Sequence, residues 1–241
     1  MPSPRTLDEA VARERLPDLE IAGLDPAARA AIGRAWLEHA ASERAEAISM
    51  ARAAAYVLER EGPGDLHWIA ARGAADELRH AAICAHVARA YAGDLAPLPA
   101  ARHFASVPVA IAPEHARALH VIVQCCVQET LAAAYLERAF AAAEVALPRA
   151  ALRVLFGDEI DHGRIGYAFA ETLSTSERTA LRAPVATLLE VCVATWRERA
   201  RALPTAAAPE HGVLAASTIE QCVRDAAQRL VRPGLSRAGL G

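Results

Sequence analysis

Apolar residues recur at helical spacing along most of the chain, in long blocks separated by a few clear interruptions. The first block opens at Asp25-Pro26, a capping residue followed by proline at the first helical position. It runs through Trp36, Glu43 and Tyr56 to Gly62-Pro63-Gly64, which reads as a turn. A second block starts at Asp65, continues to about Tyr91 and stops at Gly93. About twenty residues rich in proline follow (Pro97, Pro99, Pro108, Pro113), without helical period. The third block opens at Pro113-Glu114 and continues to about Glu144; a short break near Leu147-Pro148 leads to a fourth that reaches about Leu173. Ser174-Thr175-Ser176 with Glu177 begins a fifth, to about Leu203, and a weaker sixth lies between Val213 and Val231. No stretch alternates in the way of a strand, so the expected class is all-α.

Connection lengths add a topology. The links near residues 63 and 147 are short and make two antiparallel hairpins. The middle link is different: a helix of about 28 residues is about 42 Å long, and about twenty extended residues reach up to about 65 Å. It can therefore travel the full length of a bundle. Short, long, short predicts a four-helix bundle with one long crossover over residues 26–173, preceded by an N-terminal extension (1–25). One or two additional C-terminal helices (174–231) and a tail (232–241) follow, and both ends read as peripheral.

Composition narrows the classes. The chain has 241 residues with only 5 % aromatic, and alanine supplies most of the apolar content, which suits closely packed helices. All basic residues are arginine, and a net charge of -3 gives no electrostatic case for nucleic acid or an anionic membrane. The start, Met1-Pro-Ser-Pro-Arg-Thr-Leu-Asp, has no signal-peptide pattern, and no apolar run reaches the ~18 residues of a membrane span; the expected location is cytoplasmic. Cys84, Cys125, Cys126, Cys192 and Cys222 include no Cys-x-x-Cys pair, which disfavours a zinc ribbon, a rubredoxin-type iron site and a thioredoxin-type motif. They read as small buried hydrophobes.

One signature stands above this background. The second block holds Asp76-Glu77-Leu78-Arg79-His80 and the fourth Asp158-Glu159-Ile160-Asp161-His162. Glu and His three apart share one helix face and can bind one ion together. With 20 Glu and 9 His in the chain, one Glu-x-x-His arises by chance about 0.7 times, but Asp-Glu-x-x-His twice in fewer than about one chain in a hundred. Folding each hairpin about its turn brings Glu43 opposite the first motif and Glu129 opposite the second, at matching offsets. Glu129 lies in Val127-Gln-Glu-Thr-Leu-Ala-Ala-Ala, where a carboxylate costs several kcal/mol unless paired or metal-bound. The chain thus reads as an internal duplication of Glu…Asp-Glu-x-x-His. Four carboxylates and two imidazoles in one core need cations, and two divalent ions balance them. Oxygen and nitrogen donors without thiolate favour iron or manganese.

These residues resemble the ferritin-like superfamily of di-iron carboxylate proteins, related to rubrerythrins and bacterial di-iron oxygenases, over about residues 27 to 173. Trp36-Leu-Glu-His-Ala-Ala-Ser-Glu and Cys126-Val-Gln-Glu-Thr are more similar to bacterial ferritin-like domain proteins than to true ferritins. The resemblance implies two iron ions (or Mn/Fe, or Mn/Mn) bridged by Glu77 and Glu159. Glu43, His80, Glu129 and His162 would complete the ligands, with Asp76 behind His162 and Asp158 behind His80.

Around that centre, His39, Glu46, Cys125 and Ala133 are candidate pocket residues, and Glu38 is a rival to Glu43. Ala132, Ala133 and Gly166 are small enough to leave room for oxygen or substrate, and Tyr56, Tyr135, Tyr167 and Trp36 are candidates for a redox relay. The remaining histidines, including His103, His120 and His211, have no supporting pattern. The resemblance implies a cytoplasmic oxidoreductase using dioxygen on a small organic substrate, by hydroxylation, desaturation or N-oxygenation. It would act as a monomer or homodimer and draw electrons from a separate ferredoxin or reductase. Alternatives are a ferroxidase or other iron-handling protein, a rubrerythrin-type peroxidase, or a non-catalytic bundle clamped by metal.

Overall fold

A computed structural model of the chain describes residues 6–20, 23–93, 109–203 and 207–241. Among them the protein is all-α, with a single isolated bridge, Ala208 to Val213, and no strand. The helices are α1 (Leu7–Arg13), α2 (Pro26–Glu59), α3 (Gly64–Ala92), α4 (Ala116–Val121), α5 (Glu129–Ala142), α6 (Ala146–Thr172), α7 (Thr175–Ala202), α8 (Ala216–Ala226) and α9 (Arg232–Arg237). A 3-10 turn (Pro113–His115) leads into α4, and a π-helical segment (Ile122–Gln128) joins α4 to α5.

Local chemistry sets the boundaries. The Asp25 side chain accepts the Ala28 N–H at 3.1 Å, with Pro26 at the first helical position of α2. Gly93, at φ +69°, ends α3 in a backbone region that suits glycine. Ser174 and Glu177 form a reciprocal capping box at the start of α7. The break before α6 falls at residues 143–145, earlier than expected; Pro148 sits inside the first turn, where a missing N–H costs nothing.

Helices α2 and α3 pack along one another, as do α5 and α6, and the pairs meet through α3 against α6 and α2 against α4. Ala40, Ala53, Ala70 and Ala88 are fully buried on the first pair, and larger side chains such as Leu131, Leu152 and Leu155 fill the second. Helix α7 packs on α8 and on the π segment, and α8 packs on α5. The expected crossover lies largely outside the described residues. The tail is not peripheral, because it forms α9 and buries Leu235 and Leu240. The N-terminal extension contributes α1, which packs on α3. Pro113–Ala142 is long and apolar enough to cross a membrane, and most of its apolar window is buried in the protein as in a core helix.

Candidate metal centre

The six candidate ligands of the duplicated pattern meet in the core. Glu77 and His80 are 0 % exposed, and Glu43, Glu129, Glu159 and His162 are buried with them. They fall into two groups that can hold a metal ion: Glu43, Glu77, His80 and Glu159, and Glu77, Glu129, Glu159 and His162, with candidate ligand atoms within 4.8 Å of one another in each. Glu77 and Glu159 belong to both groups, so Glu43 stands with His80 and Glu129 with His162. Glu38 belongs to neither.

Both imidazoles turn Nδ1 inward. His80 Nδ1 lies 3.6 Å from Glu43, 3.5 Å from Glu77 and 3.5 Å from Glu159. His162 Nδ1 lies 2.8 Å from Glu77 and 3.2 Å from Glu159. Outward, His80 Nε2 donates to Asp158 at 3.1 Å, whereas His162 Nε2 is 3.7 Å from Asp76, beyond hydrogen-bond reach. Arg79 ties the two aspartates together, with Nη2 at 2.5 Å from Asp158 and 3.1 Å from Asp76, while its Nε faces Glu14 at 3.4 Å. Arg72 adds a second cation on Asp76 at 3.2 Å.

Electrostatics then test whether cations fit. Burial pushes the Glu77 carboxyl up to about 7, helped by the charge of Glu159, and the same two causes raise Glu129 well above its ordinary value. Burial would lower the histidines, but Asp158 and the glutamates around His80, and Glu159 with Asp76 and Glu77 around His162, raise both well above normal. Both carboxylate oxygens of Glu77 and Nδ1 of His80 are buried without an aligned hydrogen bond, for His162 Nδ1 approaches Glu77 at 2.8 Å outside hydrogen-bond geometry. Orphaned donor atoms facing one another in an oxygen- and nitrogen-rich core fit divalent cations.

The surroundings differ in part from expectation. A cavity of about 340 Å³ opens on Glu43, Glu129 and Glu159. It takes in His39 and Glu46, but not Cys125 or Ala133. Cys125 is fully buried instead, its thiol 4.0 Å from the Met50 sulfur, and the neighbouring Ala132 faces the cavity in place of Ala133. Burial pushes the Glu46 carboxyl up to about 8. Gly166 leaves no room for substrate: a Cβ there would meet the Cys126 backbone nitrogen at 2.6 Å, so the absent side chain lets α6 press against the π segment. Of the relay candidates, Tyr135 and Trp36 flank His39, with ring centroids 5.7 and 5.9 Å away, while Tyr56 and Tyr167 pack elsewhere, on Phe169 and near Cys126.

Sequence reasoning missed three contributors. Trp196 lines the cavity from α7 and donates to Gln128 at 3.2 Å. Residues 212–214 close another wall, held where Trp36 Nε1 donates to the His211 carbonyl at 3.1 Å and the Tyr91 hydroxyl meets His211 Nδ1 at 2.7 Å. Gln124 reaches Glu129 from the π segment. None of these carries a local motif. His103 lies outside the described residues. No family model, curated protein or solved structure matches the chain, so the site is read from its geometry.

Proposed function

We propose that this chain is a non-haem di-iron oxidoreductase, built on a ferritin-like four-helix bundle, that activates dioxygen to oxidise a small organic substrate. The observation that carries this reading is the pair of ligand groups sharing Glu77 and Glu159 beside a cavity that opens on Glu43, Glu129 and Glu159. Glu77 and Glu159 would bridge the ions, Glu43 with His80 and Glu129 with His162 would complete them, and bound metal would supply redox chemistry and Lewis acidity. Asp158 would fix the His80 tautomer by accepting a hydrogen bond from Nε2–H, which leaves Nδ1 free to ligate.

The cavity supports an organic substrate over iron storage. Trp36, Tyr135, Leu136 and Trp196 give it apolar walls, and its volume of about 340 Å³ lies at the lower end of small-molecule pockets, about 300–1,000 Å³. These walls would hold the substrate body and keep water from the carboxylate end. With no flavin or nicotinamide motif in the chain, electrons would come from an external donor.

Metal content per chain, measured after anaerobic purification with ferrous ion present, is the first test. Close to two irons are expected, or manganese in their place, followed by oxygen uptake that depends on an added organic compound. Absence of metal, or a single zinc, overturns the proposal. Glu129→Ala and His162→Ala should each lose metal while helix content by circular dichroism stays near that of the parent.

A further inference from the structure

Two residues five apart on a regular α-helix point about 140° away from each other. Gln124 and Glu129 are five apart, yet Gln124 Nε2 donates to Glu129 Oε1 at 2.5 Å. The π-helical segment Ile122–Gln128 explains this, because its i→i+5 winding brings residues five apart onto one face. The same Gln124 nitrogen donates to Glu46 at 2.9 Å, and the Gln124 oxygen accepts from the Ser49 hydroxyl at 2.5 Å. With its nitrogen toward two carboxyl groups and its oxygen toward a hydroxyl, the amide has a partner on each side. Ser49 is itself pinned, its carbonyl 3.0 Å from His120 Nε2.

The other terminal carboxylate has no such amide. Glu43 meets the His39 ring nitrogen at 2.8 Å. The histidines differ in the opposite sense: His80 has its aspartate at 3.1 Å, while His162 and Asp76 stand 3.7 Å apart. The Glu43/His80 position is therefore held by His39 and Asp158, and the Glu129/His162 position by the amide on its glutamate.

We propose that Gln124 is the positioning residue of the Glu129/His162 position, so that the two metal positions are inequivalent and only this one depends on the π-segment amide. The inference rests on the di-metal reading above. Its consequence is a split in stepwise metal affinity: loss of an outer hydrogen-bond partner of a ligand typically costs about 10–100-fold. Glu43 and His80 make no contact with Gln124 among the hydrogen bonds described, so their position should keep its affinity.

The test is anaerobic titration of the metal-free full chain with Co²⁺, followed by visible absorption, for the parent and for Gln124→Leu. Circular dichroism and thermal melting of the metal-free proteins run alongside. The expected result is two ions in the parent, and in Gln124→Leu one step unchanged and the other weakened about 10–100-fold. In crystals of the variant at limiting cobalt, anomalous scattering should remain between Glu43 and His80 and fade between Glu129 and His162. Equal weakening of both steps, or no change in either, overturns the proposal and leaves the di-metal reading standing. A parent that binds no Co²⁺ overturns both.

Discussion

At the scale of single residues, the two aspartates that precede the shared glutamates are chemically alike and geometrically unequal. Asp158 accepts from His80 at 3.1 Å, whereas Asp76 stands 3.7 Å from His162 and is engaged by Arg72 and Arg79 instead. Asp158→Ala should therefore lower metal affinity about 10–100-fold, and Asp76→Ala distinctly less, as read by competition with a chelator of known affinity. Equal losses would mean that the aspartates act through their charge and not through the imidazole bond. Gly166 gives a second prediction. A methyl group there would press on the Cys126 backbone, which cannot rotate away, so Gly166→Ala should destabilise the fold by about 1–3 kcal/mol in denaturant titration. An unchanged midpoint would show that α6 can shift outward at no cost.

At the scale of elements, much was legible in the sequence and the exceptions share a cause. Helix starts at Asp25-Pro26 and Ser174…Glu177, and the stop at Gly93, follow from capping chemistry that acts within a few residues. Glu43 and Glu129 could be matched to their motifs because short hairpins make opposite positions countable. The π segment was not legible: Ile122, Val123 and Val127 continue the apolar pattern, and the Gly166 that packs against it comes from another helix. The wall at residues 212–214 depends on Trp36, some 175 residues away in sequence from its partner His211. The capping box of α7 also carries a pH dependence. Burial raises the Glu177 carboxyl, but bonds from the Ser174 backbone and side chain and from Arg60 outweigh it and hold Glu177 below the usual carboxylate range. With a folded value below the unfolded one, its stabilisation is present above the unfolded carboxylate range and is lost as pH falls through the folded value. Ser174→Ala should cost about 1 kcal/mol near neutral pH. The difference from the parent should shrink toward acid in melts across pH.

At the scale of the whole molecule, the C-terminal helices supply part of the site and do more than cap the core. Trp196 and residues 212–214 finish the cavity begun by α2 and α5, and the Glu144 and Val145 N–H groups donate to the Glu210 carbonyl at 2.9 and 3.0 Å. Bound ions would hold helices from both pairs together, since each ligand group draws on α2 or α5 as well as on α3 and α6. At ion concentrations one hundred times the dissociation constant, each site should add about 2.7 kcal/mol. Chelation should accordingly lower the melting temperature, and a melting temperature indifferent to metal would argue against ligands drawn from separate helices.

The Arg79 bridge also bears on how the two similar halves depend on each other. Arg79 stands in the first motif where the second has Asp161, and its one guanidinium serves the histidine-facing aspartates of both. Paired with a copy of itself, the second half would bring two such aspartates together with no cation between them. The halves are unequal partners, one lender and one borrower of charge, and separate expression of the second should yield a chain that cannot assemble this centre alone.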